Sequence, residues 1–485
     1  MSNFFNGENS ENWSFASFLS QNNVSNKEGF NKAKLKYLSE MQKISDPGLK
    51  RLAKQHIKEA TKMKFVPKSH SPANIDIRGD VTDSIIGSSS CVLKINNNRD
   101  NISLASSPNV FYHVDSEQDI WDLWHQFFKE CKADESMHEF SLEKVGIIQC
   151  GYKVKMRSNL VKELYDYINP REPNPTNAFS DYEDDMSHIF SSTSLATFVS
   201  RLKEFKRKKM EDKNALFLSK VIKLILEVPL DSQKQIWMKK SEANYSEYFI
   251  WQLLKAVSKF SSNSSLFFQI GEYKLESIKH EIERRNDDKL KDCSYNADGC
   301  HTTIVGGKNV ELSLLEVTGA FGITDVSRGT KDHIKGCFGA LAMLQEIAHL
   351  FSFGSIEAFY SIRVFFVQAL NQDIRLWSLE QVSKGVCVME LIETATVPTN
   401  FADIETYIRD ICNLMWLYKN GLEKSIRQIE QLQREDREVR LKISRKLISP
   451  KNANNLVTSL EKHCILKIKG EHISGYNKLK VMASQ

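Results

Sequence analysis

Residues 296–319 read NADGCHTTIVGGKNVELSLLEVTG, two runs of strand-forming residues that meet at Gly306 and Gly307. Adjacent glycines between such runs mark a tight hairpin, because they accept the positive φ angles that a two-residue turn requires. They do not form a phosphate cradle, since no Lys-Ser/Thr pair and helix follow them. The reading is therefore a hairpin whose second strand covers 310–317, with Asp298 at the turn entering the first strand and Glu316 inside the second. Pairing of the two strands brings both carboxylates to one sheet edge. On the second strand Leu312, Leu314, Glu316 and Thr318 share a face. A carboxylate among leucines costs several kcal/mol if unpaired, so a cation, a metal or a hydrogen-bond donor is expected beside Glu316.

Outward from the hairpin, helical and strand signals alternate. Before the hairpin a helix is expected over 245–260 and then a strand in LFFQIGEYKL; after it, a helix over 332–351 and strands over 361–370, 373–379 and 385–393 are expected. That order predicts an α/β (α+β) domain over 241–400, a central mixed sheet flanked by helices. Beyond Pro398, apolar residues from Ile404 to Leu432 step by threes and fours and predict a helix over 402–447, about 65 Å long if unbroken. Trp416 and Leu417 widen its apolar stripe beyond a coiled-coil seam, which favours packing on the domain, with a break at Gly421, over a free arm. Residues 401–485 are thus read as a long C-terminal helix and a basic tail.

Toward the N-terminus, 111–240 reads as a helical region. It opens with a helix capped by Asp115 or Ser116, whose apolar face is Ile120, Leu123, Trp124, Phe127 and Phe128. A Pro-rich loop near 170–175 interrupts it, and a second block ends at Pro229. Residues 1–110, rich in Ser and Asn, predict a mostly disordered arm.

The chain has 485 residues, 41% hydrophobic and 26% charged, enough for two or three folded units. No run reaches the roughly 18 uncharged apolar residues of a spanning helix, and the N-terminus lacks a signal-peptide layout, so an intracellular protein, nuclear or cytoplasmic and not membrane-bound, is expected. Nine cysteines without any CxxC exclude a disulfide framework and a zinc ribbon; Cys293, Cys300 and His301 crowd together but lack tetrahedral spacing. His349 falls on an apolar helix side and reads as a core histidine. No GxSxG element supports a nucleophilic hydrolase. Net charge is only +5, yet 201–213 holds 7 basic against 3 acidic residues and 421–485 holds 14 against 7. DNA or RNA is an admissible partner, with Lys206, Arg207, Lys208 and Lys209 as candidate contacts or as a nuclear import signal.

The segments SEYFIWQLL (246–254), IGEYKLES (270–277), NADGC (296–300) and ELSLLEVTG (311–319), the helix with Lys335 and Gln345, and the strand pair after Ser361 together resemble the PD-(D/E)XK (restriction-endonuclease-like) nuclease superfamily. They are similar more closely to a group of multicopy proteins of mucoromycete fungi that carry this fold. The resemblance covers about 240–400. It implies that Asp298 and Glu316 hold Mg²⁺, that a helix glutamate, for which Glu247 is the candidate, supports them, and that Gln345 is the helix polar residue. The strand lysine of the motif is replaced here by Thr318. In this superfamily the lysine is known to migrate to the next helix, where Lys331 or Lys335 takes its place. The expectation is a degenerate nuclease domain, either a weak Mg-dependent phosphodiesterase on DNA or RNA or an inactive nucleic-acid or protein binding module. The alternative is a non-enzymatic interaction scaffold that binds protein through the C-terminal helix.

Overall fold

The computed structural model describes residues 117–460 except 139, 152–153, 155–159, 161, 169–177 and 286–293, together with Tyr37. The expected disordered arm, Tyr37 apart, and the basic tail beyond 460 lie outside the described residues. The chain divides into two compact units, 1–79 and 80–485, and every described residue but Tyr37 belongs to the second.

Seven strands form one open mixed sheet: β1 (Ile147–Gly151), β2 (Phe267–Lys274), β3 (Asn296–Val305), β4 (Lys308–Thr318), β5 (Val364–Leu370), β6 (Asp373–Ser383) and β7 (Val386–Thr396), in the order β1-β7-β6-β5-β4-β3-β2. β1 runs parallel to β7 and β4 parallel to β5, while the other neighbours are antiparallel. The β3–β4 hairpin turns at Gly306 and Gly307, both at positive φ (58° and 78°), as their sequence requires. Asp298 lies within β3 rather than at a turn before it. Because β4 and β5 are parallel, the chain between them must cross over, and it does so through a helix.

The helices are α1 (Glu117–Ala133), α2 (Lys162–Ile168), α3 (Glu183–Phe190), α4 (Leu195–Lys208), α5 (Lys213–Glu227), α6 (Ser232–Met238), α7 (Glu242–Tyr245), α8 (Trp251–Phe260), α9 (Glu276–Arg285), α10 (Val326–Leu350), α11 (Ile356–Tyr360) and α12 (Ile404–Ser444). A π-helical turn, Ser246–Ile250, joins α7 to α8. The α/β class read from the element order is the one the chain adopts.

Helices cover both faces of the sheet. On one side α10, the β4–β5 crossover, lies along β4 and β5; on the other α12 packs against β7, β5 and β3. Successive strand residues point to opposite faces, so Phe365 and Phe366 of β5 meet different helices. The Phe366 ring sits on Gly336 of α10 and the Phe365 ring on Gly421 of α12, where a Cβ would stand 2.3 Å and 2.5 Å from the respective ring. Gly421 therefore admits a ring beneath a helix that continues unbroken for 41 residues.

The region 111–240, read as helical with a Pro-rich loop, contributes β1, which closes the far edge of the sheet. Trp124, Phe127 and Phe128 of α1 and Leu164 of α2 pack over Ile148 and Cys150 of β1 and Val388 of β7 in a second apolar cluster. The expected boundaries near 240 and 400 are thus crossed by sheet pairing and by α12 packing. No helix among the described residues is long and apolar enough to cross a membrane.

Candidate functional site

Pairing of β3 with β4 sets Gly299 opposite Leu315, and the Asp298 carboxylate reaches back across the pair to accept a hydrogen bond from Val317 N, Oδ2 at 2.7 Å. Alternation along β4 sends Leu314, Glu316 and Thr318 toward α10 and Ser313 toward Tyr418 of α12. The partner that burial of Glu316 demands is Lys335: its Nζ lies 2.8 Å from each carboxylate oxygen and 2.6 Å from the Asn296 carbonyl. Oε2 accepts the hydrogen bond. Oε1, equally near the ammonium, is buried and accepts none.

A second layer surrounds this pair. Thr318 Oγ1 donates to Asp332 Oδ2 at 2.8 Å, so the residue in place of the strand lysine is tied to a buried helix carboxylate. Glu242 of α7 accepts from Gly319 N at 2.9 Å and from Arg328 at 2.5 Å, and Arg328 also approaches Asp332 at 3.7 Å. Trp251 of α8 donates its indole N–H to the Asp298 carbonyl at 2.9 Å. The π turn makes these last two contacts compatible. Nine α-helical steps would set Glu242 and Trp251 on opposite sides, about 180° apart, whereas absorbing one extra residue reduces the offset to about 80°.

Four carboxylates, Asp298, Glu316, Asp332 and Glu242, thus meet two cations; Asp298, Glu316, Asp332 and Lys335 are largely out of water, whereas Glu242 is half-buried and Arg328 exposed. Burial pushes Asp298 up to about 6, opposed by the Val317 N–H and assisted by Glu242. Burial drives Glu316 well above the carboxylate range against the pull of Lys335, and raises Asp332 in spite of its Thr318 bond. For Lys335 burial is the largest influence and acts downward, but the summed attraction of Glu316, Asp298 and Asp332 raises it. The cluster is short of positive charge.

Beside it, a polar row crosses the sheet in register, Glu316 opposite Gln368, Gln368 opposite Arg375 and Arg375 opposite Thr394. Gln368 and Arg375 are buried, and Gln368 Nε2 donates to the Gly329 carbonyl of α10 at 2.9 Å.

Among the described residues no group of three or more His, Cys, Asp or Glu side chains is arranged to hold a metal. A hard cation such as Mg²⁺ needs only one or two carboxylates, with water or phosphate completing its shell. Glu316 Oε1, buried without a hydrogen bond, and the Asp298 carboxylate, engaged only through Oδ2, have the donor chemistry for that role.

Of the residues singled out by sequence, Asp298, Glu316 and Lys335 come together. Lys331 stands one turn earlier on α10, half-buried, and it is Lys335 that meets Glu316. Gln345 is buried ten residues beyond Lys335, about 15 Å along the helix, and so does not join the cluster. Glu247 is exposed in the π turn, some 140° around the helix from Glu242, so the carboxylate this helix supplies is Glu242. Glu242, Asp332 and Arg328 were not legible beforehand, because their partners are brought up only by tertiary packing. Lys206, Arg207 and Lys208 are exposed at the end of α4, with Lys208 paired to Glu204 and Lys209 approaching Asp185. Cys293 lies outside the described residues. His301 is a core histidine, its Nε2 3.2 Å from the Leu254 carbonyl and its Nδ1 2.7 Å from Tyr418 Oη, with burial lowering its pKa to about 3. His349 is half-buried, and burial lowers its pKa too.

Compared with known proteins, the chain matches no family model, no curated protein and no solved structure.

Proposed function

We propose that the β3–β4–α10 cluster is a PD-(D/E)XK-like phosphodiesterase site, acting weakly on DNA or RNA, in which Lys335 supplies from the helix the ammonium that the strand lacks at Thr318. The observation that carries this reading is the seat of Lys335 Nζ on Glu316, across the hairpin from Asp298.

A divalent cation bound by Asp298 and Glu316 would supply Lewis-acid stabilisation of the phosphate under attack and lower the pKa of a bound water. The chain's own groups do the rest. Lys335, held by Glu316 and the Asn296 carbonyl, presents a charge to the developing anion and orients the attacking water. The Val317 N–H fixes the Asp298 carboxylate. Trp251, through the Asp298 carbonyl, locks the strand that carries it. Asp332 and Glu242 keep Thr318, Gly319 and Arg328 in place around the mouth of the hairpin.

The test is cleavage of single- and double-stranded DNA and RNA by the full chain with Mg²⁺ or Mn²⁺. Slow divalent-dependent cleavage is expected to vanish with Asp298→Ala or Glu316→Ala. It should fall about a hundredfold or more with Lys335→Ala, and persist with Lys331→Ala. Absence of cleavage, together with a melting temperature indifferent to both metals, would overturn the proposal.

One observation favours a second reading, an inactive binding module: the ammonium lies equally close to both oxygens of Glu316 and so itself serves as the cation of the site. On that reading Lys335→Met gains a metal-dependent stabilisation that the parent lacks.

A further inference from the structure

Three neighbouring helices carry a charge out of proportion to the chain. α4, α5 and α8 together hold ten basic residues against two acidic ones, in a protein whose whole net charge is +5. α5 packs against both α4 and α8, so lysines remote in sequence become neighbours. Lys220, half-buried on α5, is held below the ordinary lysine range first by burial, with Lys223, Lys259 and Lys206 adding repulsion against the pull of Glu227. Among the described residues Lys206, Lys220, Lys255 and Lys259 form no ion pair; Lys223 leans on Glu227 at 3.3 Å. Lys206, Lys223 and Lys259 thus gather around Lys220 with Glu227 as their acidic neighbour, which leaves an excess of positive charge at that place.

The position of this cluster relative to the candidate site is set by α8. Trp251, Lys255 and Lys259 follow one another at four-residue steps and therefore share a stripe of that helix about 12 Å long. One end of the stripe is the indole that donates to the Asp298 carbonyl. The other end is Lys259, beside Lys220, and both Lys255 and Lys259 are exposed.

We infer that this stripe is a track for a nucleic-acid backbone: phosphates of a bound DNA or RNA strand lie along Lys255 and Lys259 into the Lys220–Lys223–Lys206 cluster, and the strand leads toward the end of β3 that carries Asp298. The inference rests on the phosphodiesterase reading for what happens at the end of the track, but the binding itself does not need catalysis. It relocates the nucleic-acid contact from the run Lys206–Lys209, of which Lys206 joins the cluster while Lys208 is engaged with Glu204.

The test uses the full chain carrying Asp298→Ala, so that no substrate is consumed, and a fluorescein-labelled 30-nucleotide DNA, single-stranded and as a duplex, titrated across a range of KCl. The expected result is an affinity that falls steeply with salt. The set Lys220→Gln, Lys255→Gln and Lys259→Gln should weaken binding at least tenfold near 100 mM salt and flatten the log–log slope by about two to three units. A charge-matched set at and beyond the end of α12, Lys442→Gln, Lys446→Gln and Lys451→Gln, should change the slope by less than one unit. Equal losses from both sets would overturn the track, leaving only a diffuse field. So would unchanged binding by the first set, or tighter association with phosphatidylserine vesicles than with DNA. Loss of binding by the first set in a chain whose Asp298 form shows no cleavage supports the track and sinks the phosphodiesterase reading. Cleavage with a KM unchanged by the same set does the reverse.

Discussion

Asp298 is where burial and charge conflict most directly. Its pKa of about 6, against an ordinary 3.8, means that between those values the folded chain keeps a proton that the unfolded chain releases. Stability in metal-free buffer should therefore fall as pH rises from about 4 to about 6, and stay lower above. Asp298→Asn, whose amide oxygen can still accept from Val317 N, should remove that slope and exceed the parent at pH 7 by on the order of 1–2 kcal/mol; urea titrations across the pH range measure it. Glu316 and Lys335 form the complementary case. Lys335→Ala leaves a buried carboxylate with its partner gone and should cost about 3–5 kcal/mol, whereas Lys335→Met with Glu316→Gln should recover most of it. The two hairpin carboxylates were visible in the sequence because a strand pair fixes who faces whom. Asp332 was not, since nothing in a helical lysine-aspartate pair such as Lys331–Asp332 tells which way it will turn until β4 lies beneath it.

At the scale of elements, the hairpin, the strands after Ser361 and the two long helices were readable because each carries a sustained period, two for strands and three to four for helices. β1 was not. Its five residues, IIQCG, are too few to display alternation, and every strand position but Gln149 is buried, which gives the apolar run that a helix interior also gives. Gly421 reads in the sequence as a break for a related reason, whereas its role is to let α12 pass close over the Phe365 ring. Propensity alone predicts that Gly421→Ala stabilises α12 by about 1 kcal/mol. The 2.5 Å approach predicts the opposite sign, a net loss of about 1–3 kcal/mol with no loss of helix content by circular dichroism.

The described residues of the second unit are one sheet with its cover, and they should behave as such. A fragment of 241–400 keeps β2–β7 but loses β1 with α1 from the far edge and α12 from one face, so it should be insoluble or fail to show a cooperative urea transition, while the full chain unfolds with coincident fluorescence and circular dichroism changes. The register Ile147↔Cys387 also fixes a sequence of events. β1 leaves the ribosome with its partner still about 240 residues away, which at about 5–20 residues per second is a wait of roughly 12–48 s. During that interval the apolar run around Ile147 and Ile148 has no strand to join, and the newborn chain must shelter it in some other way; the last edge of the sheet to be built is the one that was synthesised first.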